Sequence, residues 1–423
     1  MQPYQLTTLP NGTRIASVSM PHMRSACVGI WVGVGGRYEP KTLSGMSHFT
    51  EHLLFKGTKA RSAKKITESV EGLGGYLNAF TTEDHTCYYA KAAARHLPVI
   101  CDVLGDMYLH SQFSPVEIER ERDVICEEIA MVSDNPSQYV QEMLSEALWP
   151  DHPLGRSLTG TAEGISRFRR EHFLDFTRRF YHGRTTIVAV AGCVTHDCVL
   201  DAFTPFMGEL PRGRTPACRR FEAEETPDGQ PRVIVVPQEI EQCHLAMGWY
   251  AFGRRDPRRF ALKILSVILG ENMSSRLFQK LRERYGFCYS IHSCVVSLDD
   301  TGALTVSSAL DPDNLPKAIG LILREVERIG QQPPSRSELR KAQDYLVGQT
   351  LMGLESTTNQ MMWMGESLLA YGEVVDPSEV ERKLSLVTPQ EVAEVARYCL
   401  VRSRLCVSLV GSGLDADKVR SWL

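Results

Sequence analysis

The pentapeptide His48-Phe49-Thr50-Glu51-His52 decides how the rest of the chain is read. Residues four apart share one face of a helix, so His48 and His52 project side by side and their imidazoles can meet one ion. Glu51 lies three residues from His48, within reach of a water at that ion. Two His and one carboxylate around zinc leave a fourth position open, the arrangement of a catalytic rather than a structural site. The order H-x-x-E-H reverses the commoner H-E-x-x-H. The competing reading is a polar helix face with two solvated histidines, and the surrounding sequence has to choose between them.

Around the motif, the spacing predicts a helix over Leu43–Phe55, preceded by short strands at Tyr4–Leu9, Arg14–Ser19 and Ala26–Val34 with a hairpin turn at Asn11-Gly12. A second helix is expected over Ser62–Leu73, then strands at Tyr76–Thr81 and Thr86–Ala92. An apolar helix follows over Leu97–His110, and a long one starts at Ser114-Pro115, where Pro and early Glu residues suit a helix N-terminus. Residues 209–231 carry four Pro and no apolar period, which marks a linker.

Beyond it the pattern starts again. Strands are expected near Val233–Val236 and Cys243–Trp249, helices at Arg258–Leu269 and Ser274–Arg284, then strands near Cys288–Val296 and Gly302–Ser308. The segment from Ser335 can be laid on that from Ser114. In that register Ala342 stands where Glu121 does, and Gln349 where Glu128 does. The second half also lacks H-x-x-E-H, so a division of labour is expected. The expected plan is α+β: domain 1–210 with the metal site, linker 211–231, and a homologous domain 232–423 without the ligands. Each domain is read as a mostly antiparallel sheet with helices on one face.

A length of 423 residues exceeds what one core accommodates. The net charge of −4 leaves no basic stripe, so neither nucleic acid nor an anionic membrane is expected as a partner. Twelve cysteines are scattered without a C-x-x-C pair, and several sit inside apolar runs, as reduced thiols do. The opening MQPYQLTTLPNGTRIAS shows neither a signal segment nor an Arg-rich presequence, and no apolar run reaches the length of a membrane span. The expectation is a bacterial cytoplasmic protein.

The third ligand is not set by spacing alone. Glu121 and Glu128 lie two turns apart on one face of the long helix, so one can bind metal while the other orients a ligand His. Here the chain resembles the pitrilysin/insulinase family of zinc peptidases, the inverzincins. Within it the resemblance is to the branch of the mitochondrial processing peptidase β-subunit and its bacterial relatives. It is carried by LPNGTRIA from Leu9, HFTEHLLFKGT, GGYLNAFTTEDHTCYYA from Gly74, ERDVICEEI, HPLGRSLTGT from His152, QCHLAMG from Gln242, MSSRLFQKLRERYGFCYSIHS from Met273 and LESTTNQM from Leu354.

The resemblance implies one Zn2+ per chain. It makes Glu128, 76 residues after His52, the third ligand, Glu121 the carboxylate behind a ligand, and Glu51 the base. It further implies that Arg282 and Tyr289 sit near the substrate carbonyl, and that the strand bearing Asn78, Ala79 and Phe80 pairs with peptide substrate. The Gly-rich loop of the noncatalytic processing subunits is absent. With the zinc set and the Arg/Tyr pair both present, the resemblance implies a homodimer enclosing a chamber, in which zinc from one chain faces Arg282 and Tyr289 of the other. The expected function is endoproteolysis of short or unfolded polypeptides. The alternatives are a subunit of a heterodimeric processing peptidase and a zinc-containing, peptide-binding scaffold. His85, His96 and His244 have no helical partner and are read as satisfied core or surface histidines.

Overall fold

The computed structural model describes residues 4–222, 226 and 229–423, so part of the expected linker, 223–225 and 227–228, lies outside the described residues. The first unit is built on a six-stranded sheet of β1 (Gln5–Thr8), β2 (Arg14–Ser19), β3 (Ser25–Val32), β4 (Tyr76–Thr81), β5 (Thr86–Ala93) and β6 (Thr186–Gly192). Its strand order is β1-β2-β6-β3-β5-β4, with only the β2–β6 pair parallel. Its main helices are α1 (Met46–Leu54), α2 (Ala63–Glu71), α3 (Leu97–His110) and α4 (Pro115–Asp134). The next helix in the chain, α5, spans Pro136–Leu148.

The second sheet holds β7 (Arg232–Pro237), β8 (Cys243–Phe252), β9 (Ile291–Ser297), β10 (Thr301–Leu310) and β11 (Leu405–Gly411), in the order β7-β11-β8-β10-β9. Again one pair is parallel, β7 with β11. The strand sequences of the two sheets superimpose as β2-β6-β3-β5-β4 on β7-β11-β8-β10-β9. That is the topology of a duplicated α+β unit.

The expectation of helices on one face of each sheet is corrected. In β3 seven of eight residues are buried, and in β6 and β11 all seven. Strands that read as continuous apolar runs need cover on both faces. On one face of the first sheet, Val28, Ile30 and Val190 pack with Phe49 and Leu53 of α1 and Ile100 and Leu104 of α3. On the other, Trp31, Cys27, Ala189 and Ala191 pack with Met361, Met364 and Leu368. Those three residues come from the helix Thr357–Tyr371, deep in the second half of the chain.

The second sheet receives the reciprocal cover. Val140, Leu144 and Leu148 of α5 pack on Ala246, Cys406 and Val410. Ser408 Oγ donates to Val140 O at 2.7 Å, and the Tyr250 hydroxyl donates to Leu148 O at the end of the helix.

The compact units therefore exchange one segment each. One comprises Met1–Ala130, Arg156–Arg219 and Leu351–Val375; the other comprises Met131–Gly155, Arg220–Thr350 and Asp376–Leu423. They differ from the contiguous halves read from the sequence because each sheet buries its second face under a helix encoded in the opposite half.

The seam at Thr357–Tyr371 is tight. A Cβ on Gly365 would lie 2.1 Å from Trp31 Cε2, and one on Gly29 would lie 2.3 Å from Met361 Sδ. Gly365→Ala is expected to destabilise the protein by about 1–3 kcal/mol, the usual cost of overpacking a filled core, read as a lowered melting temperature. A fragment ending at residue 210 would leave the Trp31 face uncovered and is expected in the insoluble fraction on expression, with the full chain expected in the soluble one.

Candidate active site

Helix α1 is short and begins abruptly. Gly45, in the left-handed region at φ 94°, takes the N-cap position without a side-chain cap. A Cβ there would sit 2.6 Å from Thr159 O, so only glycine fits. The missing cap is supplied from outside the helix. The buried Glu39 carboxylate accepts Gly45 N–H at 2.8 Å and Ser47 N–H at 2.6 Å. A carboxylate at this end satisfies orphan donors and complements the helix dipole.

One helical turn on, the His48 and His52 rings lie with centroids 4.6 Å apart. Their Nε2 atoms lie 3.7 and 3.6 Å from Glu128 Oε2 of α4. One ligand atom from each residue falls within 4.8 Å of the others, and this is the metal-competent cluster found among the described residues. Ligands about 2.0–2.2 Å from a tetrahedral zinc stand roughly 3.3–3.5 Å apart, so the spacing fits the ion with little adjustment. The Glu128 side chain keeps 36% of its surface exposed, against 18% for each His. The cluster thus opens on the carboxylate side, as a site that admits a substrate must.

Protonation is set by neighbours. Burial, and after it His52, pushes His48 down to about 4, which leaves its ring neutral and able to ligate near neutral pH. Burial pulls His52 down as well, but the hydrogen bond it donates to Glu121 and the charges of Glu128 and Glu51 outweigh it and hold His52 above its ordinary value. His52 Nδ1 lies 3.1 Å from Glu121 Oε2. Donating there leaves the Nε2 lone pair for a metal. The Nδ1 of His48 is buried with no hydrogen-bond partner among the described residues, so no bond at that nitrogen orients the ring.

Glu121 is itself held. Lys56 Nζ lies 2.6 Å from its Oε1, and its bonds to His52 and Lys56 keep it below the usual carboxylate range despite burial. With the capping Glu39, Lys56 is a residue of the site that the sequence reading missed. Its signal was there, since it follows His52 by four positions and so continues the same helix face past the end of α1.

Glu51 lies beside the pair, and burial raises it above its ordinary value, which favours a base that can hold a proton. Its Oε2 accepts a hydrogen bond from the Thr81 hydroxyl at the end of β4. β4 is an edge strand, paired among the described residues only with β5, from Tyr76↔Lys91 to Thr81↔Thr86. Within it the Asn78 side chain accepts Ala79 N–H at 2.8 Å, and Phe80 packs edge-on against Trp31 with centroids 5.6 Å apart.

Arg282 and Tyr289 belong to the second unit and are described within it. The expected helix Ser274–Arg284 is replaced over Phe278–Arg284 by a wider π-helical turn that carries Arg282. The guanidinium sits 4.7 Å from the Phe278 ring and 5.2 Å from that of Tyr289. Tyr289 precedes β9 rather than lying in a strand, and it is 83% exposed. The residues aligned with the carboxylates, Ala342 and Gln349, are buried and exposed respectively, and no second metal-competent cluster occurs among the described residues.

A duplicated α+β fold with His, His and Glu converging beside a half-buried carboxylate is the arrangement a metallohydrolase requires. The sequence profile described as Insulinase (Peptidase family M16) matches residues 14–162, and that described as Peptidase M16 inactive domain matches residues 167–346. An uncharacterised zinc protease of Mycobacterium bovis is 38% identical over 397 residues, spanning 94% of this chain and 90% of that one. One of Bacillus subtilis is 33% identical over 406 residues, spanning 96% and 98%. The chain belongs to the insulinase family of zinc peptidases. Among solved structures, a protease from Helicobacter pylori superimposes with a TM-score of 0.89 at 22% identity, over 97% of this chain and 99% of that one. No helix among the described residues is long and apolar enough to cross a membrane.

Removing the Lys56 ammonium should loosen Glu121 and, through it, His52. Lys56→Met is expected to weaken zinc binding about tenfold and Glu121→Gln by 10- to 100-fold, measured by competition with a chromogenic chelator. Zinc at 100 times its dissociation constant should stabilise the wild type by about 2.7 kcal/mol, and Glu128→Gln should lose most of that gain.

Proposed function

We propose that the protein is a zinc endopeptidase in which His48, His52 and Glu128 hold one zinc per chain, and Glu51 is the general base. The observation that carries this reading is the convergence of those three ligand atoms on one open point beside the half-buried Glu51. Zinc, when bound, supplies a Lewis acid that polarises the scissile carbonyl and acidifies water.

The chain's own residues account for the proton traffic. Glu51 takes a proton from the attacking water as its oxygen bonds to the carbonyl carbon. It returns that proton to the amine as the C–N bond breaks, leaving a carboxylic acid and an amine. The peptide lies along the open edge of β4 at Asn78, Ala79 and Phe80, where backbone pairing holds it without demanding a particular side-chain sequence. Such pairing suits short or unfolded polypeptides.

The assembly belongs to the same proposal. Two copies form a homodimer around a chamber, and Arg282 and Tyr289 of the second copy donate to the carbonyl oxygen as charge develops on it. What supports their role is the exposure of Tyr289 together with the half-buried Arg282 guanidinium beside its ring. A bacterial cytoplasmic location is proposed with it.

The test pairs metal content with cleavage of a quenched fluorescent peptide library, for wild type and Glu51→Gln. The expected result is one zinc per chain in both and a fall in turnover of at least about 100-fold in the variant. Sedimentation of the wild type should give a dimer. Zinc in both with turnover in neither would overturn the peptidase reading for the isolated chain and favour an unlike partner subunit or a binding role.

A further inference from the structure

One hydrogen bond joins the candidate base to the candidate substrate strand. Thr81 closes β4, and its hydroxyl donates to Glu51 Oε2 on α1. The pleat of the strand explains how it gets there. Side chains two apart share a face. Leu77 and Ala79 pack into the core that contains α1, and Thr81 follows them on that face, whereas Phe80 turns to the opposite face against Trp31.

The direction of the bond is set by the next residue across the ladder. Thr86 is paired with Thr81, and its own hydroxyl donates to Val34 O at 3.1 Å. The two threonine oxygens are 3.5 Å apart, which makes a poor bond. A carboxylate is the stronger acceptor, so the Thr81 proton goes to Glu51. This occupies one carboxylate oxygen, and Oε1 has no hydrogen-bond donor among the described residues. Without the hydroxyl, Glu51 would be placed mainly by attraction to His52 and repulsion from Glu128. Neither of those aims it at a reacting water.

We propose that Thr81 is a positioning residue that holds Glu51 with a single oxygen presented to the water, so that the edge strand pairing with the peptide and the base acting on it are registered by one hydrogen bond. This rests on the peptidase reading above. It adds that the residue next after the peptide-pairing positions governs the chemical step rather than binding. A base misaligned by even a fraction of an ångström loses rate while the strand edge still accepts peptide.

The test uses the full-length, zinc-loaded protein with Thr81→Val, which keeps the shape and removes the donor, and Thr81→Ser, which restores it. Thr81→Val is expected to lower kcat about tenfold or more with KM within about twofold. Thr81→Ser is expected to recover kcat to within about threefold, with one zinc per chain throughout. In the Glu51→Gln background, adding Thr81→Val should leave peptide affinity unchanged. A wild-type kcat in Thr81→Val, or an effect confined to KM, would overturn the proposal.

A second measurement does not need turnover. Crystal structures of the metal-free proteins should show Glu51 in one position in wild type and Thr81→Ser, and displaced or spread over rotamers in Thr81→Val. Glu51 unmoved in Thr81→Val would overturn the positioning role even if the wild type proved inactive, an outcome that by itself counts against the peptidase reading alone. If Val crowds the pleat and prevents folding, Thr81→Ala applies the same test.

Discussion

A nine-residue helix has to hold two imidazoles and a carboxylate in register, and the rest of the first unit is arranged to make that short helix rigid. Isolated helices of this length are not stable in water, so α1 depends on its surroundings. Its apolar side, Phe49 and Leu53, is buried against the sheet and α3. Its first turn is capped by Glu39, and the turn past its end is tied through Lys56 and Glu121 to α4. Glu51 is held from the side by β4. Two carboxylates from outside the helix, Glu39 and Glu121, and one hydroxyl, that of Thr81, therefore fix a helix that could not fix itself.

The same segment is linked to the strand that borders the site. Gly36 N–H donates to Thr82 O at 3.1 Å and Arg37 N–H to Glu83 O at 2.9 Å, so the chain leading to Glu39 runs against the β4–β5 turn. The hairpin thus touches α1 at its base and also braces the segment that carries the capping Glu39. A backbone frame of this kind suits a site that must place a proton acceptor against a peptide within a few tenths of an ångström.

The second unit repeats the sheet but not the chemistry. Where α4 carries Glu121 and Glu128, the corresponding helix Arg336–Gly353 carries Ala342 and Gln349, and the helix Arg259–Ser266 has no His pair. Freed from holding a metal, the second unit carries instead the π-helical turn with Arg282 and the exposed Tyr289. Each unit also uses a helix from the other half of the chain to cover its sheet. Neither half of the chain by itself contains the helix that covers the second face of its sheet.

Periodicity in the sequence determined most of the elements and the facing His pair, because these follow from spacing along a single helix or strand. Laying the Ser335 segment on the Ser114 segment revealed the duplication, whereas the π-helical turn at Phe278–Arg284 left no such mark. The carboxylates were narrowed by spacing to Glu121 and Glu128, and family resemblance separated their roles. Three things were decided only by tertiary structure. Glu39 caps a helix six residues away, Thr81 reaches a base thirty residues earlier, and Thr357–Tyr371 covers a sheet from the first half of the chain. No periodicity encodes a contact between segments distant in sequence, and a buried sheet face records that it needs a cover without recording which helix supplies it.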